Sequence, residues 1–203
     1  MIAIIDYGVG NLRSVQRALE RAGADVLITG DPMVIKSADG AVLPGVGAFG
    51  EGMAQLELRG LVLPIDQIIA AGKPFLGICL GMQLLFSTSE EMGHFDGLGV
   101  LKGTVRRLAD APGRKVPHVG WNQLHIRQPN PLLDGIADGS FAYFVHSYYV
   151  DPARPDFTVA TTDYGADFVS VVARGNVFGV QFHPEKSQGV GAAILKNFVL
   201  LTL

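Results

Sequence analysis

The chain contains one cysteine, Cys79, and the residues around it are the first that could do chemistry. Gly77-Ile78-Cys79-Leu80-Gly81 lies between a short apolar run at 75–78 and a helical pattern through Met82, Leu85 and Phe86. A nucleophile flanked two residues away by glycines, at a strand-to-helix turn, has the spacing of a nucleophile elbow, here with cysteine in place of serine. The turn is tight, so side chains at Gly77 and Gly81 would collide with neighbouring backbone. The elbow lifts the sulfur above the strand end and sets it at the start of the following helix, where unpaired N–H groups and the helix dipole favour the thiolate. Composition alone points instead to a buried structural cysteine. The choice depends on whether the rest of a reactive site exists.

A thiolate nucleophile needs a proton shuttle, and the chain offers His94, His118, His125, His146 and His183. His183 stands apart because it opens His183-Pro184-Glu185. Pro184 biases the residue before it towards an extended conformation, and strand alternation would then point His183 and Glu185 the same way. A carboxylate beside an imidazole selects its tautomer and stabilises its cation. Without Cys79 the pair would read as an exposed polar loop. An oxyanion hole is the third requirement. Pro44-Gly45-Val46-Gly47-Ala48-Phe49-Gly50 follows an apolar run, where an α/β sheet carries its ligand loops. Its glycines let backbone N–H groups turn towards developing negative charge, and the Leu80 N–H supplies a second donor. The loop lacks the Gly-Lys-Ser/Thr of a phosphate loop, and Gly8-x-Gly10 does not complete a dinucleotide fingerprint. A metal is not expected, because zinc cysteines come in pairs.

The elements that must position these residues alternate along the first half. Apolar runs at 2–6, 25–28, 40–43 and 75–78 read as buried strands. Between them lie helical patterns, one through Leu12, Val15, Leu19 and Ala22 with Asn11 as N-cap, another over 51–71 with a break or restart at Pro64. From 97 to 181 the runs are short and β-rich, at 104–108, 118–122, 141–150, 157–162, 168–173 and 177–181, and Gly175-Asn176 is a hairpin signal. A final apolar helix is expected over 191–203. The expected fold is α/β: a central, mostly parallel sheet flanked by helices, with a β-rich antiparallel extension in the second half, forming one domain over 1–203.

Of the 203 residues, 48% are hydrophobic and 17% charged, which excludes disorder as the main state. A net charge of −3 gives no general attraction to nucleic acid or anionic membrane. One cysteine cannot form an internal disulfide, and a reducing interior suits the chain. No targeting segment or membrane span is visible, so a cytoplasmic location is expected.

The loop at 44–49, Gly77-Ile78-Cys79-Leu80-Gly81-Met82-Gln83 and Phe182-His183-Pro184-Glu185 together resemble, in order, the three signatures of class I (triad-type) glutamine amidotransferases. The resemblance covers essentially the whole chain. It implies hydrolysis of the glutamine γ-amide to glutamate and ammonia through a γ-glutamyl thioester on Cys79, with His183 as base then acid and Glu185 orienting it. No cofactor is implied. Within the class, Ile5-Asp6-Tyr7-Gly8-Val9-Gly10-Asn11-Leu12, His118-Val119-Gly120-Trp121-Asn122, His146-Ser147-Tyr148-Tyr149 and His183-Pro184-Glu185-Lys186-Ser187 resemble the glutaminase subunits of imidazole glycerol phosphate synthases of histidine biosynthesis. That resemblance implies Gly45, Gln83, Glu91, Ser147 and Tyr148 as glutamine-binding positions. Val46, Gly47 and Leu80 fall at the oxyanion hole, and Asn11, Trp121 and Lys186 near a subunit interface. It also implies a heterodimer with a (β/α)8-barrel cyclase subunit that uses the ammonia, since free ammonia in neutral water would mostly protonate.

The residues alone leave other readings open. Trp121 could equally be a core aromatic, and His118 and His146 read as hydrogen-bonded structural residues. Gln83 and Glu91 would be ordinary helix-surface positions without Cys79 beside them. Rival functions are a class I glutaminase of pyridoxal phosphate or anthranilate synthesis, a free-standing γ-glutamyl cysteine hydrolase, and an inactive docking scaffold.

Overall fold

The computed structural model describes residues 1–110 and 114–203. Its elements run β1 (Ile2–Ile5), α1 (Leu12–Arg21), β2 (Val26–Thr29), α2 (Pro32–Ser37), β3 (Gly40–Gly45), α3 (Phe49–Leu58), α4 (Val62–Ala70), β4 (Phe75–Cys79), α5 (Leu80–Leu84), β5 (Phe86–Ser89) and β6 (Phe95–Asp96). They continue as β7 (Leu101–Arg107), β8 (His118–Ile126), β9 (Ser140–His146), β10 (Tyr148–Pro152), β11 (Thr158–Asp163), β12 (Asp167–Arg174), β13 (Val177–Val180) and α6 (Gln188–Leu201).

The order β2-β1-β3-β4-β13-β12-β10-β7-β5-β6 carries the sheet across the molecule. The pairs from β2 to β13 are parallel, and β13–β12, β12–β10 and β10–β7 are antiparallel. This is the expected α/β sheet with its antiparallel extension. Every residue of β1, β3, β4 and β13 is buried, because helices cover both faces. Alternation sends Ile2, Ile4, Val42, Leu76 and Ile78 into a core with α1 and α6. It sends Ala3, Ile5, Ala41, Leu43 and Phe75 into a second core with α2, α3 and α4.

Four local expectations are corrected. The helical stretch expected over 51–71 breaks around Gly60, with φ +65°, and restarts at Val62, two residues before Pro64. Pro64 is instead the third residue of α4, where a missing N–H costs no intrahelical bond. The helix after Cys79 is only five residues long, and Phe86 opens β5 instead of continuing it. So short a helix carries little of the dipole expected to favour the thiolate. Asn11 occupies the N-cap position of α1, but its side chain makes no capping bond. The run at 141–150 is two strands interrupted at Ser147.

Candidate active site

Three adjacent parallel strands, β3, β4 and β13, end on one edge of the sheet. Register places Gly45 opposite Cys79 and Val180 opposite Ile78, so the chain beyond β13 runs past Cys79 into His183. This is where open α/β sheets gather their ligand groups.

Cys79 has φ +54° and ψ −110°, a conformation that costs a non-glycine residue about 1–3 kcal/mol. Packing holds it there. A Cβ on Gly81 would land on the Leu43 carbonyl oxygen, and one on Gly77 would lie 2.7 Å from the Gly81 oxygen and the Met82 nitrogen. The two glycines therefore let α5 fold back against β3 and β4. Leu80 is the first residue of α5, so its N–H has no intrahelical acceptor.

His183 and Glu185 are joined by a bond of 2.9 Å from Nδ1 to Oε1, with side chains 4% and 1% exposed. Extended alternation is not what brings them together. His183 is extended, at φ −97° and ψ 99°, but Pro184–Lys186 forms a 3-10 turn that swings Glu185 back under the ring. Burial pulls the imidazolium pKa down; interaction with Cys79 and the hydrogen bond and charge of Glu185 outweigh it and hold the pKa at about 9. No closed hydrogen bond reaches the other nitrogen, Nε2, among the described residues, so it remains free beside the sulfur.

A pocket of about 290 Å³ opens over Cys79. Of the residues singled out from sequence, Val46, Gly47, Leu80, Gln83, Glu91, Ser147, Tyr148 and His183 line it. Gly47, at φ +95°, needs its glycine for that conformation. Gly45 does not line the pocket. It lies behind, where a Cβ would strike the Tyr7 hydroxyl and come within 2.9 Å of Leu80 Cβ. Glu91 accepts the Phe49 N–H at 2.8 Å and so caps α3, whose own N-cap, Ala48, has no side-chain oxygen to offer. Burial pushes the Glu91 carboxyl up, against the lowering effect of that bond. Gln83 donates to the Tyr148 carbonyl and to Gln181 Oε1, both at 3.0 Å.

The remaining singled-out residues lie further out. Asn11 is exposed and lines a small cavity with Val46, His183 and Glu185. Trp121 is 44% exposed, so it is not a core aromatic. Its ring stands 5.9 Å from that of Tyr143, and Lys186 Nζ lies over the same Tyr143 ring, also at 5.9 Å.

Sequence reasoning did not single out Gln181, Pro117, Val145 or, as a pocket residue, His146. The last three line the pocket, and Gln181 Nε2 lies 3.7 Å from Cys79 Sγ. Gln181 did carry a signal, being the one polar residue in the apolar stretch Val180-Gln181-Phe182. Pro117 and Val145 carried none. Among the described residues no cluster of three His, Cys, Asp or Glu side chains could hold a metal ion, and no helix is long and apolar enough to cross a membrane.

Residues 3–202 match the glutamine amidotransferase class-I family. A protein of Moorella thermoacetica, "Imidazole glycerol phosphate synthase subunit HisH", is 55% identical across 97% of this chain and 93% of its own length. One of Syntrophotalea carbinolica with the same name is 53% identical across 98% of each. Among solved structures, a glutamine amidotransferase superposes with a TM-score of 0.77 at 20% identity, covering 99% of this chain and 98% of its own. The PurLQS structure from Thermotoga maritima gives 0.72 at 19%, covering 99% and 96%. At such identities the structures attest the fold.

Proposed function

The chain belongs to the class-I glutamine amidotransferase family, and from that premise we propose that it is the glutaminase subunit of imidazole glycerol phosphate synthase. The observation that carries the reading is the buried His183–Glu185 pair set against the strained Cys79 at the floor of a pocket.

In the proposed reaction the Cys79 thiolate attacks the γ-carboxamide carbon of glutamine. The carbonyl electrons move onto oxygen, where the Leu80 N–H and the Val46–Gly47 backbone supply donors. Protonated His183 gives its proton to the departing nitrogen, ammonia leaves, and a γ-glutamyl thioester remains. Water then attacks the thioester, His183 takes the proton, and glutamate is released as the thiolate re-forms. Glu185 holds the imidazole through Nδ1 so that Nε2 faces the sulfur and the leaving group. Gln83, Glu91, Ser147 and Tyr148 surround the amino-acid end of the substrate, and Gly45 gives the oxyanion loop the space to lie against Leu80.

The partner in this reading is a (β/α)8-barrel cyclase subunit that takes up the ammonia within a cytoplasmic heterodimer. Support comes from the outer face of β8–β9. Val119 pairs Val145, Trp121 pairs Tyr143 and Gln123 pairs Phe141, with Val119 57%, Trp121 44%, Phe141 52% and Val145 36% exposed. A contiguous apolar face of this kind suits a protein contact, and Val145 also belongs to the pocket wall. Docking there would seal the pocket mouth and pass ammonia on before water protonates it. Lys186, whose Nζ lies over the Tyr143 ring, borders this face, and Asn11 is the third interface residue of the proposal.

The test is a glutaminase assay with and without the cyclase and its ribonucleotide ligand. Cys79→Ala should abolish glutamine-dependent synthesis and leave the partner's ammonia-dependent synthesis intact. Loss of both would give Cys79 a structural role instead. Rapid ammonia release with no partner present would favour a free-standing hydrolase.

A further inference from the structure

Besides the His183–Glu185 pair, Cys79 has an uncharged hydrogen-bonding neighbour, Gln181. Gln181 follows β13, is fully buried and lies next to Cys79 by the β13–β4 register. Its Nε2 is 3.7 Å from Sγ, and its Oε1 is 3.0 Å from Gln83 Nε2. Gln83 Nε2 is also 3.0 Å from the Tyr148 carbonyl oxygen.

These contacts determine which end of each carboxamide faces which neighbour. A backbone carbonyl can only accept, so the Gln83 atom beside Tyr148 must be nitrogen. That nitrogen spends its two hydrogens on Tyr148 and Gln181, so the Gln181 atom facing it must be oxygen. The NH2 of Gln181 is then turned towards the sulfur. Reversing Gln181 would set two NH2 groups against each other, which is repulsive, and a carbonyl oxygen against Sγ, which repels the thiolate.

We propose that Gln181 is a hydrogen-bond donor to the reacting sulfur, and that Gln83 is the positioning residue that locks it in the donating orientation. The inference rests on the reading of Cys79 as nucleophile and extends it. A donor aimed at sulfur offers its N–H to negative charge on the attacking atom and fixes the direction from which it attacks. It does so without adding a titrating group, and it compensates for the slight dipole of the five-residue α5. Gln181 does not line the pocket, whereas Gln83 does, so the two should separate in steady-state kinetics.

The lone cysteine makes the test clean, because iodoacetamide can alkylate no other thiol. Rates are measured on the full chain without glutamine between pH 6 and pH 10. The charged and titratable groups near the sulfur are His183 with Glu185, His146, the Tyr7 and Tyr148 hydroxyls, and Glu91 across the pocket, all retained in every variant. Gln181→Glu keeps the shape and the acceptor for Gln83 but replaces the donor with a carboxylate oxygen. It should slow alkylation at pH 7 about tenfold, with the gap narrowing towards pH 10. Gln83→Met, which frees Gln181 to turn, should slow it severalfold. In the complex, Gln181→Glu should lower kcat with KM within about twofold, and Gln83→Met should also raise KM. An unchanged alkylation profile in Gln181→Glu overturns the proposal. If that variant does not fold, an unchanged profile in folded Gln83→Met overturns it equally. A wild-type sulfur inert at neutral pH would instead overturn the nucleophile reading, and this inference with it.

Discussion

His183 and His146 line the same pocket, are 3% and 6% exposed, and stand on opposite sides of neutrality. Burial depresses the His146 pKa to about 3, and the charges of His118 and His183 add to that against the pull of the Tyr148 carbonyl. Burial likewise takes His118 to about 4. His183 is held at about 9 because Cys79 and Glu185 reverse what burial would do. Burial alone removes the charge of an imidazole, and anionic neighbours on both nitrogens restore it. The neutral pair gains fixed tautomers instead. His146 Nδ1 must donate to the Tyr148 carbonyl at 2.8 Å, so its Nε2 accepts from His118 Nδ1 at 3.1 Å. His118 Nε2 then accepts from Asn122 at 3.3 Å. In the proposed reaction one pair moves a proton, and the other holds its protons in place.

The sharpest way to break that contrast is to take the anion from His183. Glu185→Gln should lower glutamine hydrolysis at neutral pH by at least about a hundredfold, the usual scale for losing an oriented acid–base. The pH profile should change with it. The imidazolium proposed to protonate the leaving nitrogen exists below about 9 and is lost above it, so wild-type activity should fall on the alkaline side with a midpoint near 9. In Glu185→Gln that midpoint should move to lower pH, towards the behaviour of His146. A variant that keeps both its rate and its alkaline limb would show that Cys79 holds His183 unaided.

The contrast also marks how far the sequence could be read. That Cys79, His183 and Glu185 would meet was legible because each sits in a local motif, Gly-x-Cys-x-Gly and His-Pro-Glu. The parallel core was legible because β1, β3, β4 and β13 are buried on both faces and show as unbroken apolar runs. The route by which Glu185 reaches His183 was not, since a 3-10 turn and an extended strand share the same three residues. Gln181 escaped notice because its role depends on the β13–β4 register, a pairing of segments about a hundred residues apart. The same holds for His146, whose place in the pocket wall follows from β9 turning at Ser147 into β10. Trp121 was ambiguous because β8 alternates between a buried and an exposed face, and one chain does not say which side each residue takes.

The neutral pair makes its own prediction, in stability rather than rate. Both histidines have folded pKa values below the ordinary 6.5, so the unfolded chain binds protons that the folded one refuses. The stability these two histidines contribute should therefore be complete above about pH 6.5 and decline as pH falls towards 4. His118→Phe keeps the ring between Phe144 and Tyr164, where His118 stacks at 5.1 and 4.0 Å, but no longer titrates. It should cost about 1–3 kcal/mol at neutral pH, because His146 Nε2 loses its donor, and it should flatten the acid slope of Tm. An acid slope unchanged by the substitution would mean that other groups set it.

Tyr7 supplies the smallest and most delicate test, because it is burial without any partner at all. It is fully buried, and its hydroxyl has no hydrogen-bond partner among the described residues. Burial first, and the charge of Cys79 second, push its pKa above the ordinary tyrosine range. It is therefore a neutral group kept beside a charged site, in the space that the absent side chain of Gly45 leaves. If the hydroxyl stays unpartnered while the enzyme works, Tyr7→Phe removes an unsatisfied polar group. Stability should then be unchanged or higher by up to about 1 kcal/mol, a rise of roughly 2–4 °C in Tm, with glutamine hydrolysis within twofold. If Tyr7→Phe instead lowers hydrolysis more than tenfold with Tm unchanged, the hydroxyl gains its partner only during turnover. The Gly45 segment of the oxyanion loop, which lies against the hydroxyl, could supply one, and Tyr7 would then belong with His183 rather than with His146.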